Sequence, residues 1–329
     1  MKKAFVTGAT GFLGASIVRE LLKDGYRVKV LARAGSNRKN LDGLSVEVCE
    51  GDLCHLASLE DGLQGCDLLF HAAADYRLWT RKPATMYEIN VEGTRNILAA
   101  ALRQRISRIV YTSSVGTLGN PGNGVPGNET TPVSLADMVG HYKKSKFLAE
   151  REAESFLDKG LPLVIVNPST PVGQLDIKPT PTGKIIVDFL NRKMPAYLDT
   201  ALNIIDVEDC ARGHILAARH GRIGQKYILG NENLTLRQIF AMLEQIAGVP
   251  APRVRLPHTP ILLAAYVNEA IARITGKEPL IPLAGVQMAR KFMFFDSSKA
   301  VRELGLPQRP ANEALRRAVA WFRSEGYAK

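Results

Sequence analysis

The sequence has 329 residues and a formal net charge of +11, and its hydrophobic share of 46% and charged share of 23% are ordinary for globular proteins. Such a chain can bury a full core as one large domain or two closely joined ones, and no run approaches the ~20 apolar residues that a membrane span needs. These values exclude a membrane-spanning chain and favour a soluble, cytoplasmic protein.

The positive charge has two interpretations. The simpler is a basic, soluble surface, and the other is attraction for anions: a phosphorylated cofactor, an anionic substrate or a membrane surface that the chain would bind weakly. Nucleic acid is not an expected partner, because the lysines and arginines are dispersed and no DNA- or RNA-binding motif is recognisable. The four cysteines show no CxxC spacing and no His/Cys cluster has zinc-ligand spacing, so we predict no metal site.

Short β-branched runs alternate with helical patterns through the first half of the chain. The predicted strands are Lys3–Thr7, Arg27–Leu31, Val46–Cys49, Leu68–His71, Arg108–Thr112 and Leu163–Asn167. The predicted helices are Phe12–Lys23, about 84–104, and Met138–Lys159. This alternation predicts an α/β fold, a doubly wound parallel sheet of the Rossmann type with helices on both faces.

The alternation breaks after Pro168, where prolines crowd a loop region. Helical patterns follow at 185–195, 235–247, 260–275 and 311–325, and a strand at Asn203–Val207 leads into a helix through Ala218. We predict a dinucleotide-binding domain over 1–173, to which 201–230 returns, and a smaller α+β substrate-binding part over 174–200 and 231–329. For the apolar 260–275 helix we prefer a place in the core, with a lipid-facing lid as the alternative.

A glycine-rich segment, TGATGFLG, lies between the first strand and the first helix. Glycine permits a tight turn, close backbone approach to phosphate and close helix–strand packing. The amides at the start of the helix then face a pyrophosphate. We predict that this turn binds a dinucleotide through Gly8, Thr10, Gly11, Phe12, Leu13 and Gly14.

The residues at the end of the second predicted strand indicate whether the cofactor is NAD or NADP. The strand runs into Arg33, with Arg38 and Lys39 close behind, and no acidic residue occurs before Asp42. Guanidinium groups suit a 2′-phosphate, so this segment favours NADP(H). NAD(H) remains the alternative, because the same side chains could be solvated loop charges.

Two further segments at strand ends are predicted to contact the cofactor. Asp52, followed by Leu53, could accept a hydrogen bond from the adenine amino group, or it could serve as a helix cap or turn residue. Ala72, Ala73 and Ala74 follow the fourth strand, and their small side chains would let the backbone approach the cofactor.

A tyrosine and a lysine, Tyr142 and Lys146, are four residues apart and therefore lie on one helix face. A free phenol has a pKa of about 10, too high for efficient proton exchange at neutral pH. We expect Lys146, together with Lys143 and Lys144, to lower the pKa of Tyr142 by favouring the phenolate. Lys146 could also bind the nicotinamide ribose.

A serine pair follows the fifth strand, at the sheet edge where such folds bind ligands. We prefer Ser114 as the group that holds the substrate oxygen, with Ser113 as a supporting residue. Ser114, Tyr142 and Lys146 are therefore the predicted catalytic residues of a hydride-transfer enzyme, and this chemistry needs no metal.

The motifs TGATGFLG, GDL, FHAAA, NVEGT, YTSS and YxxxK together resemble those of the extended short-chain dehydrogenase/reductases, the NAD-dependent epimerase/dehydratase group, over nearly the whole chain. More narrowly, the segments ADYRLW, NPSTPVG, KPTPTGKIIVDFLN and RLPHTP are similar to the hopanoid-associated sugar epimerase family, itself similar to dihydroflavonol 4-reductases.

The resemblance implies roles for further residues. Ser114, Tyr142 and Lys146 take the catalytic roles, Asn90 supports the cofactor and active site, and Asn167 and Ser169 lie beside the nicotinamide. It also implies a homodimer formed through the helices that carry YxxxK. One segment departs from the sugar-nucleotide epimerases: VNPSTPVG stands where those carry an RxxNVYGP-like sequence, as in the reductase branch.

Three apolar side chains after the fourth strand bear on the substrate. Tyr76, Leu78 and Trp79 form either an apolar wall near the active site or a core or domain-interface cluster. The leading hypothesis is an NADP-dependent oxidoreductase or epimerase that transfers hydride at a carbonyl or secondary alcohol of a sugar- or polyol-bearing small molecule or amphiphile. The alternatives are a ketone reductase similar to dihydroflavonol reductases and a non-enzymatic NADP(H) sensor.

Overall fold

The computed structural model describes residues 2–122 and 124–328. Met1, Asn123 and Lys329, which fall inside the predicted domain ranges, lie outside the described residues. The strands are β1 (Lys3–Thr7), β2 (Arg27–Ala32), β3 (Glu47–Glu50), β4 (Leu68–His71), β5 (Arg108–Thr112), β6 (Leu163–Pro168), β7 (Thr170–Val172), β8 (Ala196–Leu198), β9 (Ala201–Asp206), β10 (Lys226–Leu229), β11 (Glu232–Thr235) and β12 (Val254–Leu256).

The helices cover the sheet faces and build most of the C-terminal part. They are α1 (Phe12–Lys23), α2 (Leu56–Leu63), α3 (Pro83–Tyr87), α4 (Gly93–Arg103), α5 (Gly140–Ser155), α6 (Pro181–Leu190), α7 (Val207–His220), α8 (Leu236–Ala247), α9 (His258–Thr275), α10 (Leu283–Met288), α11 (Ser298–Leu304) and α12 (Ala311–Ser324). None of the helices within residues 2–122 and 124–328 combines the length and apolar content needed to cross a membrane.

Seven parallel strands form the central sheet in the order β10-β6-β5-β4-β1-β2-β3. The strand order reverses between β1 and β4, and in such sheets ligands bind at the carboxyl ends of the strands beside this switch point. The predicted doubly wound Rossmann fold is therefore confirmed.

Two apolar layers hold the helices to the sheet, because successive strand residues point to opposite faces. On one face, Ala4 and Val6 of β1 belong to a buried cluster with Ile17 of α1 and Ile215 of α7. On the other face, Phe5 packs in a cluster with residues of α2, α4 and α5. Burying these side chains holds the strand ends in fixed positions at the ligand crevice.

The C-terminal part has its own small sheets and core. Strands β11, β9 and β7 form a three-stranded sheet, and β12 pairs with β8. Helices α6, α8 and α12 cover these strands, and Phe189 stacks on Phe240 with ring centroids 5.6 Å apart. The segment 201–230 contributes to both parts: β9 lies in the small sheet, whereas α7 packs on α1 and β10 joins the central sheet.

Helix α9 does not lie where we expected. Only Ala265 and Ala272 of its 18 residues are buried, and most of its large apolar side chains face solvent. The preferred core position of the 260–275 helix is therefore wrong. Periodicity identified an apolar helix face but could not say whether another element covers it.

Candidate active site

The predicted dinucleotide turn connects β1 to α1 and depends on two glycines for its shape. Gly8 has φ +73°, and a Cβ there would lie 2.7 Å from the backbone nitrogen of Ala73. A Cβ on Gly14 would lie 2.1 Å from the carbonyl oxygen of Gly8. These positions exclude any side chain, because the turn, the end of β4 and the first turn of α1 are in direct backbone contact.

The third glycine, Gly11, is not required by packing in the same way. A Cβ there would meet only the Gly8 carbonyl oxygen, at 3.3 Å, and Gly11 itself is exposed. Gly11 caps α1 through its backbone, and no side chain in the described part of the chain caps this helix. The first backbone amides of α1, beside Thr10, Phe12 and Leu13, therefore have no side-chain partner in that part of the chain and are available to bind an anion.

A hydrogen-bond chain ties the end of β1 to the end of β4 and to α4. Thr94 Oγ1 donates to the carbonyl of Asn90 at 2.6 Å, so it accepts from His71 Nε2 at 3.1 Å. His71 Nδ1 must then accept from Thr7 Oγ1 at 2.7 Å, and Thr7 Oγ1 accepts from the Ala73 amide. Burial, with Lys146 nearby, lowers the pKa of His71 to about 3, so the ring is uncharged at neutral pH, as this hydrogen-bond pattern requires.

Asn90 lies in a wide helical turn, Glu88–Glu92, between α3 and α4. Its Nδ2 donates to the carbonyl of Asp75 and to Ser145 Oγ, both at 2.9 Å, and its Oδ1 accepts from the Asp75 amide at 2.7 Å. The side chain is therefore engaged within the protein. It links the loop after β4, which contains Ala74, to α5 and acts on the crevice through that backbone.

The two predicted 2′-phosphate arginines differ in the structure. Arg33 is exposed directly after β2 and makes no ion pair with any described residue. Arg38 instead pairs with Glu50 at 2.5 Å, and Lys39 pairs with Glu325. Of the three cations, only Arg33 is left without a carboxylate partner in the described chain.

Asp52 and Leu53 follow β3 at the same sheet edge. The Asp52 carboxylate accepts from the backbone amide of Cys54 at 2.9 Å, which is the turn role we considered as the alternative. Leu53 is buried, and its carbonyl accepts from Asn96 Nδ2 at 3.0 Å. Ala72 and Ala73, which follow β4, are half-buried and border the Gly8 turn.

The predicted reactive groups meet at the carboxyl end of β5. Ser114 caps a short helical turn, its Oγ accepting from the Gly116 amide at 3.0 Å. Helix α5 begins at Gly140, which has φ +74°, and carries Tyr142 in its first turn. Lys146 is buried one turn further on, and its Nζ donates to the carbonyl of Thr112 at 2.7 Å.

The pKa of Tyr142 moves in the opposite direction to our prediction. Burial raises the pKa of this phenol, and the facing Ser114 hydroxyl only partly opposes that effect. Lys146 points its ammonium at Thr112, and burial lowers the pKa of Lys146 to about 8. The predicted lowering of the phenol pKa is therefore wrong, because the cost of desolvating a phenolate exceeds the attraction of ammonium groups directed elsewhere.

Lys143, the second lysine expected to assist, is also perturbed. Burial, together with Lys291, lowers the pKa of Lys143 to about 8. Its Nζ lies 3.9 Å from the sulfur of Met293. Lys144 is exposed.

A buried carboxylate that the sequence analysis missed, Glu150, supports the reactive groups from behind. It accepts hydrogen bonds from Ser113 and from Thr117 Oγ1, the latter at 2.8 Å, and lies 2.5 Å from Lys226 Nζ. Burial opposes its ionisation, but Lys226 and the two hydroxyl donors hold the pKa of Glu150 below its ordinary value. The sequence offered one indication of this role, because Glu150 is four residues after Lys146 and therefore on the same helix face.

Two unpaired polar atoms lie at the end of β6 and just after it. Asn167 donates its amide to the Ser114 carbonyl at 3.0 Å, but its Oδ1 is buried without a hydrogen-bond partner among the described residues. The Ser169 hydroxyl is likewise buried and unpaired within those ranges. Unpaired buried groups are rare, so a ligand that offers both a donor and an acceptor, such as a nicotinamide carboxamide, fits here.

Comparison with known proteins agrees with this architecture. The family described as NAD dependent epimerase/dehydratase matches residues 4–230. The chain is 48% identical over 329 residues to a Synechocystis sp. protein provisionally named dihydroflavonol 4-reductase, covering 99% of this chain and 96% of that protein. It is 34% identical over 323 residues to sterol demethylase protein B of Methylococcus capsulatus, covering 98% of each.

A solved structure gives the same result for the whole chain. The crystal structure of gox2253 matches with a TM-score of 0.90 and 48% sequence identity, covering 100% of both chains. The family match spans the glycine turn, Ser114 and the Tyr142–Lys146 pair. The chain therefore belongs to the NAD dependent epimerase/dehydratase family and is an NAD(P)-dependent oxidoreductase or epimerase of the extended short-chain dehydrogenase/reductase type.

Proposed function

We propose that this chain is an NADP(H)-dependent enzyme that transfers hydride at a carbonyl or secondary alcohol of an amphiphilic, sugar- or polyol-bearing substrate, with ketone reduction as its favoured direction. The observation that carries the proposal is that Tyr142 faces Ser114 at the carboxyl end of β5, where burial raises the pKa of Tyr142 and so keeps its phenol protonated. A phenol that keeps its proton at neutral pH is suited to donate it to a carbonyl oxygen.

Each residue of the crevice would have its own role in the reaction. When bound, a nicotinamide supplies the hydride. Ser114 Oγ would hold the substrate oxygen by a hydrogen bond, and Tyr142 Oη would deliver a proton to it. Lys146, fixed on the Thr112 carbonyl at 2.7 Å, would keep positive charge close to the site while it is protonated.

The cofactor would be held at three places. The first amides of α1 would bind the pyrophosphate, because no side chain in the described chain caps that helix. Asn167 Oδ1 and Ser169 Oγ would pair with the carboxamide. Arg33 would bind the 2′-phosphate, which supports NADP(H) over NAD(H).

An apolar portion of the substrate would lie against the loop after β4, which carries Tyr76 and Leu78. Tyr76 Oη donates to the Lys178 carbonyl at 3.4 Å, and Leu78 lies 3.9 Å from the place of a Cβ on Gly285 of α10. This loop therefore spans from the crevice to the C-terminal part. The names of two relatives, a dihydroflavonol reductase and a sterol demethylase protein, likewise refer to bulky ring substrates.

Epimerisation is the second candidate, because the family description includes epimerases. Incubation with C4-deuterated NADPH, in each of its two stereochemical forms, over a panel of sugar, polyol, triterpenoid and flavonoid carbonyls separates the two. Deuterium in the product in proportion to NADPH consumed supports the reductase. In a parallel incubation of the corresponding secondary alcohols with NADP+, inversion at the carbinol carbon without net cofactor use would instead establish the epimerase.

The same assay tests the residues. Tyr142→Phe and Ser114→Ala should each lower kcat by about 100-fold or more. Tyr26→Phe is a matched control, since its phenol oxygen accepts a hydrogen bond from Arg219 of α7 and has no part in the proposed site, and it should leave kcat unchanged. NADP(H) binding without turnover of any carbonyl, and unaltered by Tyr142→Phe, would favour the sensor.

A further inference from the structure

Helix α9 exposes its apolar side and buries its small residues, the reverse of an ordinary surface helix. Leu263, Val267 and Ile274 are 63%, 61% and 84% exposed, whereas the two buried residues are alanines. The spacing of these three residues, with Tyr266 and Ile271 between them, places them on one continuous face. The exposed Leu280 follows the helix.

The charges around this strip are basic. Residues 253–291 contain six lysines and arginines against two glutamates. Arg273 and Lys277 are exposed at the end of α9, and Arg81 extends to within 2.9 Å of the place of a Cβ on Gly276, which caps the helix. Glu269 is mostly covered and pairs with Arg273 at 3.5 Å. The exposed strip itself carries no charged side chain.

From these observations we propose that α9 and the following segment through Leu280, together called the α9 face, dock on an anionic membrane surface. An uncharged apolar strip flanked by lysine and arginine is the pattern of helices that lie in a lipid interface. Anionic headgroups complement the basic flank. A second copy of the chain fits less well, because a two-fold interface at this face would bring the two basic flanks together.

The position of the α9 face gives docking a consequence for the site. Helix α9 packs on α10, and the Cβ of Ala284 in α10 lies 3.0 Å from the place of a Cβ on Gly140. Gly140 begins α5, two residues before Tyr142. Docking would thus place the mouth of the crevice close to the lipid. The importance of this position for catalysis rests on the proposed function, but the docking proposal does not.

Flotation of the full chain with vesicles tests the proposal without an activity assay. Vesicles of phosphatidylcholine with about 30% phosphatidylglycerol should bind the protein at about 50 mM salt. Vesicles of phosphatidylcholine alone should bind it at least about 10-fold less, and about 500 mM salt should weaken binding to the anionic vesicles. Absence of binding to anionic vesicles at low salt overturns the proposal.

Variants separate the apolar strip from the basic flank. Leu263→Gln with Val267→Gln should weaken binding by about 10-fold or more. Arg273→Gln with Lys277→Gln should weaken it roughly 10- to 30-fold and reduce the salt dependence. Ile223→Gln removes a comparably exposed apolar side chain from the loop between α7 and β10, outside the α9 face, and should bind as wild type. Wild-type binding by both double variants overturns the proposal.

Two further measurements test whether misfolding of the variants or binding of a second copy of the chain explains the results. The tryptophan emission of Val267→Trp should shift to shorter wavelength when anionic vesicles are added, and the wild-type protein should show a smaller shift. An unchanged emission spectrum of the variant contradicts docking by this face. If light scattering shows a dimer that Leu263→Gln with Val267→Gln converts to a monomer, while neither protein binds vesicles, the α9 face is a protein interface and the proposal is wrong.

Discussion

Glu150 accepts a hydrogen bond from the side-chain amide of Asn167 at 3.0 Å, and the same amide donates to the Ser114 carbonyl at 3.0 Å. Both side chains are fully buried. Through this contact an ionised carboxylate, neutralised by Lys226, sets the backbone position of the proposed substrate-binding serine. Glu150 is thus a positioning residue that acts through Asn167.

We expect Glu150→Gln to lower both stability and turnover. The glutamine amide is uncharged and cannot neutralise Lys226. Its NH₂ group would also face hydrogen-bond donors where the carboxylate accepts from Ser113 and Thr117, which leaves buried polar groups unpaired. The free energy of unfolding should fall by about 3 kcal/mol. In the folded fraction kcat should fall about 10- to 100-fold, because Ser114 moves, while the KM for NADPH stays near its wild-type value.

Glu154→Gln is the matched control for that variant. Glu154 contacts the same Lys226 at 2.8 Å but is partly exposed. Its replacement should cost less than about 1 kcal/mol, as is usual for exposed pairs, and leave kcat unchanged. Equal effects of the two substitutions on kcat, measured with urea unfolding in parallel, would refute a positioning role for Glu150.

The glycines of the turn should separate folding from cofactor binding. Gly14→Ala forces a Cβ to within 2.1 Å of the Gly8 carbonyl oxygen, so we expect a loss of several kcal/mol, about 3 or more, in the free energy of unfolding. Gly11→Ala places a Cβ 3.3 Å from the same oxygen, a much milder contact, and should cost about 1 kcal/mol or less. It should nevertheless weaken NADPH binding by about 10-fold, because a methyl group would occupy the phosphate approach.

Thermal unfolding and fluorescence titration with NADPH measure the two effects independently. Gly11→Ala binding NADPH as tightly as wild type would show that the first turn of α1 does not hold the pyrophosphate. A Gly14→Ala protein with unchanged unfolding temperature would contradict the close backbone contact between α1 and the turn.

Cofactor choice should depend on Arg33 and not on Arg38. Arg33→Ala removes a guanidinium that has no carboxylate partner in the described chain, and kcat/KM for NADPH should fall about 10- to 100-fold while that for NADH is unchanged. Arg38→Ala removes a group already paired with Glu50 at 2.5 Å, and the NADPH/NADH ratio should change little. A larger change in that ratio for Arg38→Ala would reverse this assignment.

Buried His214 should make the protein lose stability in mild acid. Burial lowers the pKa of His214 to about 4 in the folded chain, below its ordinary value of about 6.5. As pH falls through this window, the unfolded chain takes up a proton that the folded chain does not, so the free energy of unfolding decreases. Between pH 7 and pH 5 this group should contribute a loss of about 2 kcal/mol.

The comparison of wild type with His214→Gln isolates this effect. Nδ1 of His214 lies 2.8 Å from the Cys210 carbonyl and Nε2 lies 3.1 Å from Thr112 Oγ1, and a glutamine offers both a donor and an acceptor. The difference in unfolding free energy between the two proteins should therefore narrow as the pH falls from 7 to 5 in urea titrations. Parallel pH profiles would show that His214 is not the titrating group.

The sequence predicted six of the seven strands of the central sheet within one residue at each end, because each is a short apolar run bounded by turn residues, whereas β10 was not predicted as a strand. Helices were less regular. The predicted 84–104 helix contains the wide turn Glu88–Glu92, where the Asn90 side chain bonds Asp75, and α5 begins at Gly140 instead of Met138. Contacts of this kind join segments that are distant in sequence and leave no periodic signal.

By itself, the sequence determined the doubly wound sheet, the glycine turn and the placing of Ser114, Tyr142 and Lys146 at one edge of it, since strand periodicity and parallel order bring strand ends together. Only the tertiary structure decided the protonation of Tyr142, the support of Ser114 by Glu150 and the exposure of α9. Burial and side-chain direction depend on what packs against each residue, and neighbours in space are fixed only when the chain has folded.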